Sequence, residues 1–126
     1  MINYGKQLIN DDDIKAVVKT LKSDFLTQGN KIEEFEKKIN LKFGGKNCVV
    51  LNNGTSALYL LGKALKWGKK DTIVTTPISF IASSNCIVNN GATPEFVDID
   101  EKTYSIDPNK LEKKVKRKKI KAVIAV

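Results

Sequence analysis

From residue 48 to residue 126, short β-branched runs alternate with helical patterns, and this alternation limits the chain to few architectures. The runs are CVVL (48–51), TIVTT (72–76), a strand within TPEFVDID (93–100) and IKAVIAV (120–126). Between them lie TSALYLLGKALKW, FIASSNCIVNN and the segment opened by Asp107-Pro108. Strand–helix alternation with short connections predicts an α/β fold with a mainly parallel sheet. The strands read as continuous apolar runs, as expected when helices cover both sheet faces.

The punctuation predicts where helices start and stop. Gly68 is expected to stop the first of these helices, Ser79 to cap the second, and Gly91 to end it. Asp107 caps the third, with Pro108 at its first position, where a missing N–H costs nothing. Upstream, Asn10 or Asp11 can cap a helix whose apolar positions Ile14, Val17, Val18 and Leu21 recur near a period of 3.6. Asn30 followed by Glu33 reads as a capping box opening IEEFEKKINLKF, which Gly44-Gly45 ends. The expected division is a helical segment over 1–45 and an α/β part over 46–126. The chain stops on AVIAV, a strand of the most buried kind, so it reads as the front part of a longer protein.

Composition enters mainly through charge. The net charge is +8, but the twelve residues 110–121 hold eight Lys or Arg against Glu112, a net of +7, which leaves +1 for all the rest. One basic helix face explains this more simply than a nucleic-acid surface, and no aromatic residue is interleaved there to stack bases. No apolar run approaches the ~20 residues of a membrane helix, and MINYGKQLINDDD has no signal-peptide core. The expectation is a cytoplasmic protein with no membrane partner and no nucleic-acid partner. Cys48 and Cys86 are too few and too widely spaced for a metal site or a disulfide framework.

The informative junction is LNNGTSAL (51–58). Asn52 to Ser56 sit beyond the carboxyl end of an expected strand, where ligands collect in parallel sheets. They also open a helix whose first N–H groups lack partners and whose dipole favours an anion. Gly54 lets a ligand approach the backbone, and Thr55 and Ser56 add hydroxyls. A plain helix cap would use the same residue types. Neither G-x-x-x-x-G-K-[ST] nor G-x-G-x-x-G is present, so the common nucleotide motifs lack their residues. At the next strand exit, TTPISFIASSN places Phe80 either in the core or over the phosphate site, where it could stack on a flat ring. A phosphate cradle beside an aromatic platform suits pyridoxal 5′-phosphate.

In order, the segments LTQG (26–29), F-E (35–36), NGTSAL (53–58), TTPISFIASSN (75–85), GATPEFVDID (91–100) and KAVIAV (121–126) resemble the DegT/DnrJ/StrS family of fold-type-I, pyridoxal-phosphate-dependent sugar aminotransferases. The resemblance covers nearly the whole chain but only the front portion of the family's length. Within the family, the TTPISF wording is most similar to members that aminate a UDP-linked 4-keto-6-deoxy sugar. It implies the N-terminal part of the large domain, preceded by two helices. It implies that Gly54, Thr55 and Ser56 hold the cofactor phosphate and that Phe80 lies against the pyridine ring. Tyr4, Leu26, Thr27, Gln28 and Gly29 would border the substrate site. The implied partners are a nucleotide-linked keto sugar, an amino-acid donor such as glutamate, and a second copy in a homodimer. A lysine carrying the Schiff base and an aspartate beside the pyridine nitrogen are also implied, both beyond Val126, so that 1–126 alone is expected to be inactive. A dehydratase on the same scaffold differs chiefly at that lysine. The reading from another class is a non-catalytic α/β binding module whose basic helix contacts nucleic acid or an acidic partner.

Overall fold

The computed structural model describes residues 5–126, so Tyr4 lies outside the described residues. The chain divides into two units, one ending at Val50 and the other spanning Leu51–Val126.

The first unit holds α1 (Asp11–Leu21) and α2 (Asn30–Phe43). Asn10 is the α1 cap: its Oδ1 accepts the Asp12 and Asp13 N–H groups, and Asp13 Oδ2 accepts the Asn10 N–H at 2.9 Å. Two orphan donors and the capping residue's own N–H are thereby satisfied reciprocally. The second helix departs from expectation. Its N-cap is Gly29, without a side-chain bond, so Asn30 lies inside the helix and no Asn30–Glu33 box forms. Glycine is required at the cap by contact, because a Cβ there would lie 2.8 Å from the Phe25 carbonyl oxygen. Gly44, at φ 67°, ends the helix in the left-handed conformation that glycine adopts freely.

The segment 48–51 forms no strand. A β-branched run becomes a strand only when a neighbour takes its backbone hydrogen bonds, and no described strand does so. The Val50 N–H donates instead to the Glu36 carboxylate at 2.9 Å.

The second unit is α/β. It runs α3 (Gly54–Ala64), β1 (Thr72–Thr75), α4 (Ala82–Asn89), β2 (Thr93–Phe96), α5 (Pro108–Arg117) and β3 (Ala122–Val123). The sheet order is β2-β1-β3, all parallel, with Thr72 beside Thr93 and Ile73 beside Ala122. The crossovers from β1 to β2 and from β2 to β3 run in opposite directions. Right-handed connections therefore put α4 and α5 on opposite faces.

The core is Ile73, Ile87, Cys86, Ala92 and Trp67, with Leu58, Ala122 and Ile124 packed against it. Burial raises the Cys86 thiol pKa, as desolvation disfavours a thiolate. Helix α3 packs on α4, which packs on β1 and β2. The α3–α4 contact turns on Gly62, where a Cβ would lie 2.4 Å from Asn90 Nδ2 and 2.7 Å from the Trp67 ring. Asn90 donates to the Tyr59 and Cys86 carbonyls at 3.1 and 2.7 Å. On the other side, Lys114 and Lys118 both reach Glu95 of β2, holding its carboxyl down to a pKa of about 2.

Two helix ends differ from expectation. Helix α3 stops at Ala64 because Lys66 turns left-handed, at φ 53°, before Gly68 is reached, and the Trp67 N–H returns to the Gly62 carbonyl. Ser79 is not the α4 cap. A turn at Phe80–Ile81 intervenes, and the Ser79 hydroxyl pairs with Ser83 Oγ at 2.9 Å. Asp107 and Pro108 start α5 as expected. No described helix is long and apolar enough to cross a membrane.

Candidate functional site

The sheet order makes the carboxyl end of β1 a switch point, since the chain leaves β1 toward β2 and returns on its other side as β3. Ligands of open α/β sheets bind at such places. There Thr75 is fully buried and its hydroxyl donates to the Ile124 carbonyl at 3.1 Å, tying the ends of β1 and β3 together. The following loop turns on Thr76, whose Oγ1 accepts the Ile78 N–H at 3.4 Å.

Helix α3 begins at Gly54. Asn53, in extended conformation, caps it by accepting the Ser56 N–H at 2.8 Å, and the Ala57 N–H bonds the Asn53 carbonyl. Among the described residues, nothing accepts the N–H groups of Gly54 and Thr55 or engages the Thr55 and Ser56 hydroxyls. A Cβ on Gly54 would meet nothing within 4 Å, so packing does not demand glycine there and the backbone stands open to an approaching group. Two unpartnered N–H donors, two hydroxyls and the positive end of a helix dipole form a donor set that fits a phosphate. Thr55 and Ser56 share a shallow cavity of about 520 Å³ with Tyr59 and Asn89.

Phe80 is 74% exposed and is not among the core residues of the second unit. It does not line the cavity with Thr55 and Ser56. Leu26, Thr27, Gln28 and Gly29 belong to the first unit, in the connection between α1 and α2, with Gln28 at φ 55°. That unit has a groove of about 460 Å³ lined by Val17, Leu21 and Phe35, largely apolar, with Lys31, Glu34 and Lys38 also on its wall. Three residues escaped the sequence reading. Asn53 was findable, since an Asn three positions before Ser56 is a capping signature. Tyr59 and Asn89 carry no such signal, because only the packing of α3 on α4 brings Asn89 near.

The basic helix is largely neutralised. Lys114 and Lys118 pair with Glu95, Lys110 with Asp98 and Asp107, Lys116 with Glu112, and Lys121 with Asp71. Lys113 and Arg117 pair with no carboxylate among the described residues, and they share one face with Lys110, Lys114 and Lys118. Among the described residues, no group of acidic, histidine or cysteine side chains could hold a metal ion.

Residues 7–126 match the family described as DegT/DnrJ/EryC1/StrS aminotransferases. The chain is 42% identical over 123 residues to the spore coat polysaccharide biosynthesis protein SpsC of Bacillus subtilis, covering 98% of this chain and 31% of SpsC. It is 45% identical over 113 residues to a UDP-4-amino-4,6-dideoxy-N-acetyl-beta-L-altrosamine transaminase of Campylobacter jejuni, covering 89% of this chain and 29% of that enzyme. Among solved structures, it superposes with TM-score 0.86 and 33% identity on a Streptococcus pneumoniae protein assigned as a sugar aminotransferase, in its PMP form. That match covers 99% of this chain and 31% of the other. The chain thus spans about a third of the length of the relatives it matches.

Proposed function

Since the chain belongs to the DegT/DnrJ/EryC1/StrS aminotransferase family, we propose that it serves a pyridoxal-phosphate-dependent amination of a nucleotide-linked keto sugar. A UDP-linked 4-keto-6-deoxy sugar is the favoured substrate, with glutamate as amino donor and a homodimer as the working form. The similarity to the C. jejuni transaminase supports the substrate class. The observation that carries the cofactor assignment is the open start of α3, with the Gly54 and Thr55 N–H groups unpartnered and open space at Gly54.

When bound, pyridoxal phosphate would supply an electron sink for the amination. The residues described here act on its position. The Gly54 and Thr55 N–H groups and the Thr55 and Ser56 hydroxyls hold the phosphate, and the α3 dipole favours its charge. Phe80 offers an exposed ring as a stacking surface for the pyridine. Thr75 holds the strand ends that frame the site. Leu26 to Gly29 and Tyr4 are proposed to border the sugar. We assign the Schiff-base lysine and the pyridine-nitrogen aspartate to residues outside 1–126, so this segment contributes binding and orientation rather than proton transfer.

The test uses the protein produced from its complete gene. Replacing Thr55 and Ser56 together by alanine should weaken pyridoxal phosphate binding at least ~10-fold, the scale of losing hydrogen bonds to a charged group. Cofactor absorbance during titration reads this directly, and an unchanged affinity would remove the phosphate site. Reading the gene past codon 126 tests the assignment of the lysine and aspartate.

A further inference from the structure

The three connections that enter the amino ends of the strands lie along one edge of the parallel sheet, because Thr72 is level with Thr93 and Ile73 with Ala122. Residues 65–71 and 118–121 bring Lys66, Lys69, Lys70, Lys118, Lys119 and Lys121 to that edge against Asp71 alone, and residues 90–92 add no charge. The edge therefore carries +5, or +4 when Glu95, which reaches Lys118, is counted. All six lysines are exposed. Lys66, Lys69, Lys70 and Lys119 pair with no carboxylate among the described residues.

The opposite edge has the opposite sign. Residues 97–107 place Asp98, Asp100, Glu101 and Asp107 there against Lys102, a net of −3, or −2 when Lys110, which reaches Asp98 and Asp107, is counted. Asp100 is held ionised by the backbone N–H groups of Thr103 and Lys102. The second unit is therefore electrically polarised along its strands, with its negative end on the side of the ligand edge.

We propose that the lysine edge docks on an anionic phospholipid surface, leaving the carboxyl edge of the sheet facing away and open to ligand. The negative edge would be repelled by such a surface, so the same charge distribution both binds and orients the unit. No membrane span is needed, since basic residues near an anionic leaflet suffice for peripheral attachment. A lipid surface fits better than nucleic acid. The charges are spread over two connections, 65–71 and 118–121, rather than along a groove, and every one is a lysine, a point charge without the fork that reads phosphates and bases. The one aromatic residue in these connections, Trp67, is buried and unavailable for stacking. The inference is independent of the cofactor reading.

The experiment is co-sedimentation of the full chain with vesicles of phosphatidylcholine alone or mixed with phosphatidylglycerol, at rising sodium chloride. Binding should appear only with the anionic vesicles and fall steeply with salt. Replacing Lys69, Lys70 and Lys119 by alanine should weaken it about five-fold per charge, near a hundred-fold together. A variant with Lys22, Lys42 and Lys46 replaced instead, of equal net charge, should bind as the parent does, and circular dichroism checks that both variants fold. Equal binding to neutral vesicles, no binding to anionic ones, or equal loss in both variants would overturn the proposal. So would tighter binding to a single-stranded oligonucleotide at the same salt, which would indicate nucleic acid instead.

Discussion

The Asn53 Oδ1 accepts the Ser56 N–H at 2.8 Å, so the residue that caps α3 also takes one of the donors a phosphate there would use. The cap and ligand readings of this junction are therefore not exclusive. The cap engages Ser56 N–H, and the ligand would take those of Gly54 and Thr55. Replacing Asn53 by alanine should cost about 1 kcal/mol of stability, the usual value of such a cap. Urea denaturation reads this, and no loss would show the bond to be dispensable.

Gly54 separates folding from binding. Because a Cβ there meets nothing within 4 Å, Gly54→Val should leave the unfolding free energy in urea within roughly 0.5 kcal/mol of the parent. Pyridoxal phosphate affinity, titrated by absorbance in the protein from the complete gene, should fall at least ~10-fold as the side chain fills the approach. A fall in stability with affinity unchanged would reverse this assignment.

Gly62 should behave in the opposite way. A methyl group there enters the space of Asn90 Nδ2, which two carbonyls hold in place, and of the Trp67 ring. Gly62→Ala should destabilise by about 1–3 kcal/mol as the α3–α4 contact is overpacked, despite the better helix propensity of alanine. Thermal unfolding of the variant measures it.

The Glu95 bridge gives a pH signature. Hydrogen bonds from Lys114 and Lys118 lower its folded pKa to about 2, below its ordinary 4.5. A depressed carboxylate stabilises the fold fully above the unfolded value, and that contribution fades as pH falls from 4.5 toward 2. Water reaches both ends of the bridge, so the contribution is about 1 kcal/mol or less. Glu95→Gln should flatten this part of the stability–pH curve, measured by urea midpoints across the acid range. An unchanged slope would show that other carboxylates carry it.

Features set by neighbouring residues were legible in the sequence. Asn10, Gly44 and the Asp107-Pro108 pair act through their own backbones, and each marks a helix end where expected. The parallel α/β class was legible too, because three of the four β-branched runs pair. The run at 48–51 failed for a non-local reason: nothing in CVVL states whether a partner strand lies alongside. Ser79 and Gly68 failed because a competing turn came first, at Phe80–Ile81 and at Lys66 respectively. At the candidate site, the Gly-Thr-Ser junction was visible as a pattern, whereas Asn89 beside it depends on helices that meet only in the folded unit.

The β2-β1-β3 order also bears on how the chain emerges from a ribosome. β1 finds its first partner soon after synthesis, but its other edge waits for β3, and the Thr75–Ile124 bond spans 49 residues. At ordinary translation rates that interval lasts roughly 2–10 s. For that time Ile73 and Val74 present an open strand edge to their surroundings, and the nascent chain is then most prone to pair with a stranger.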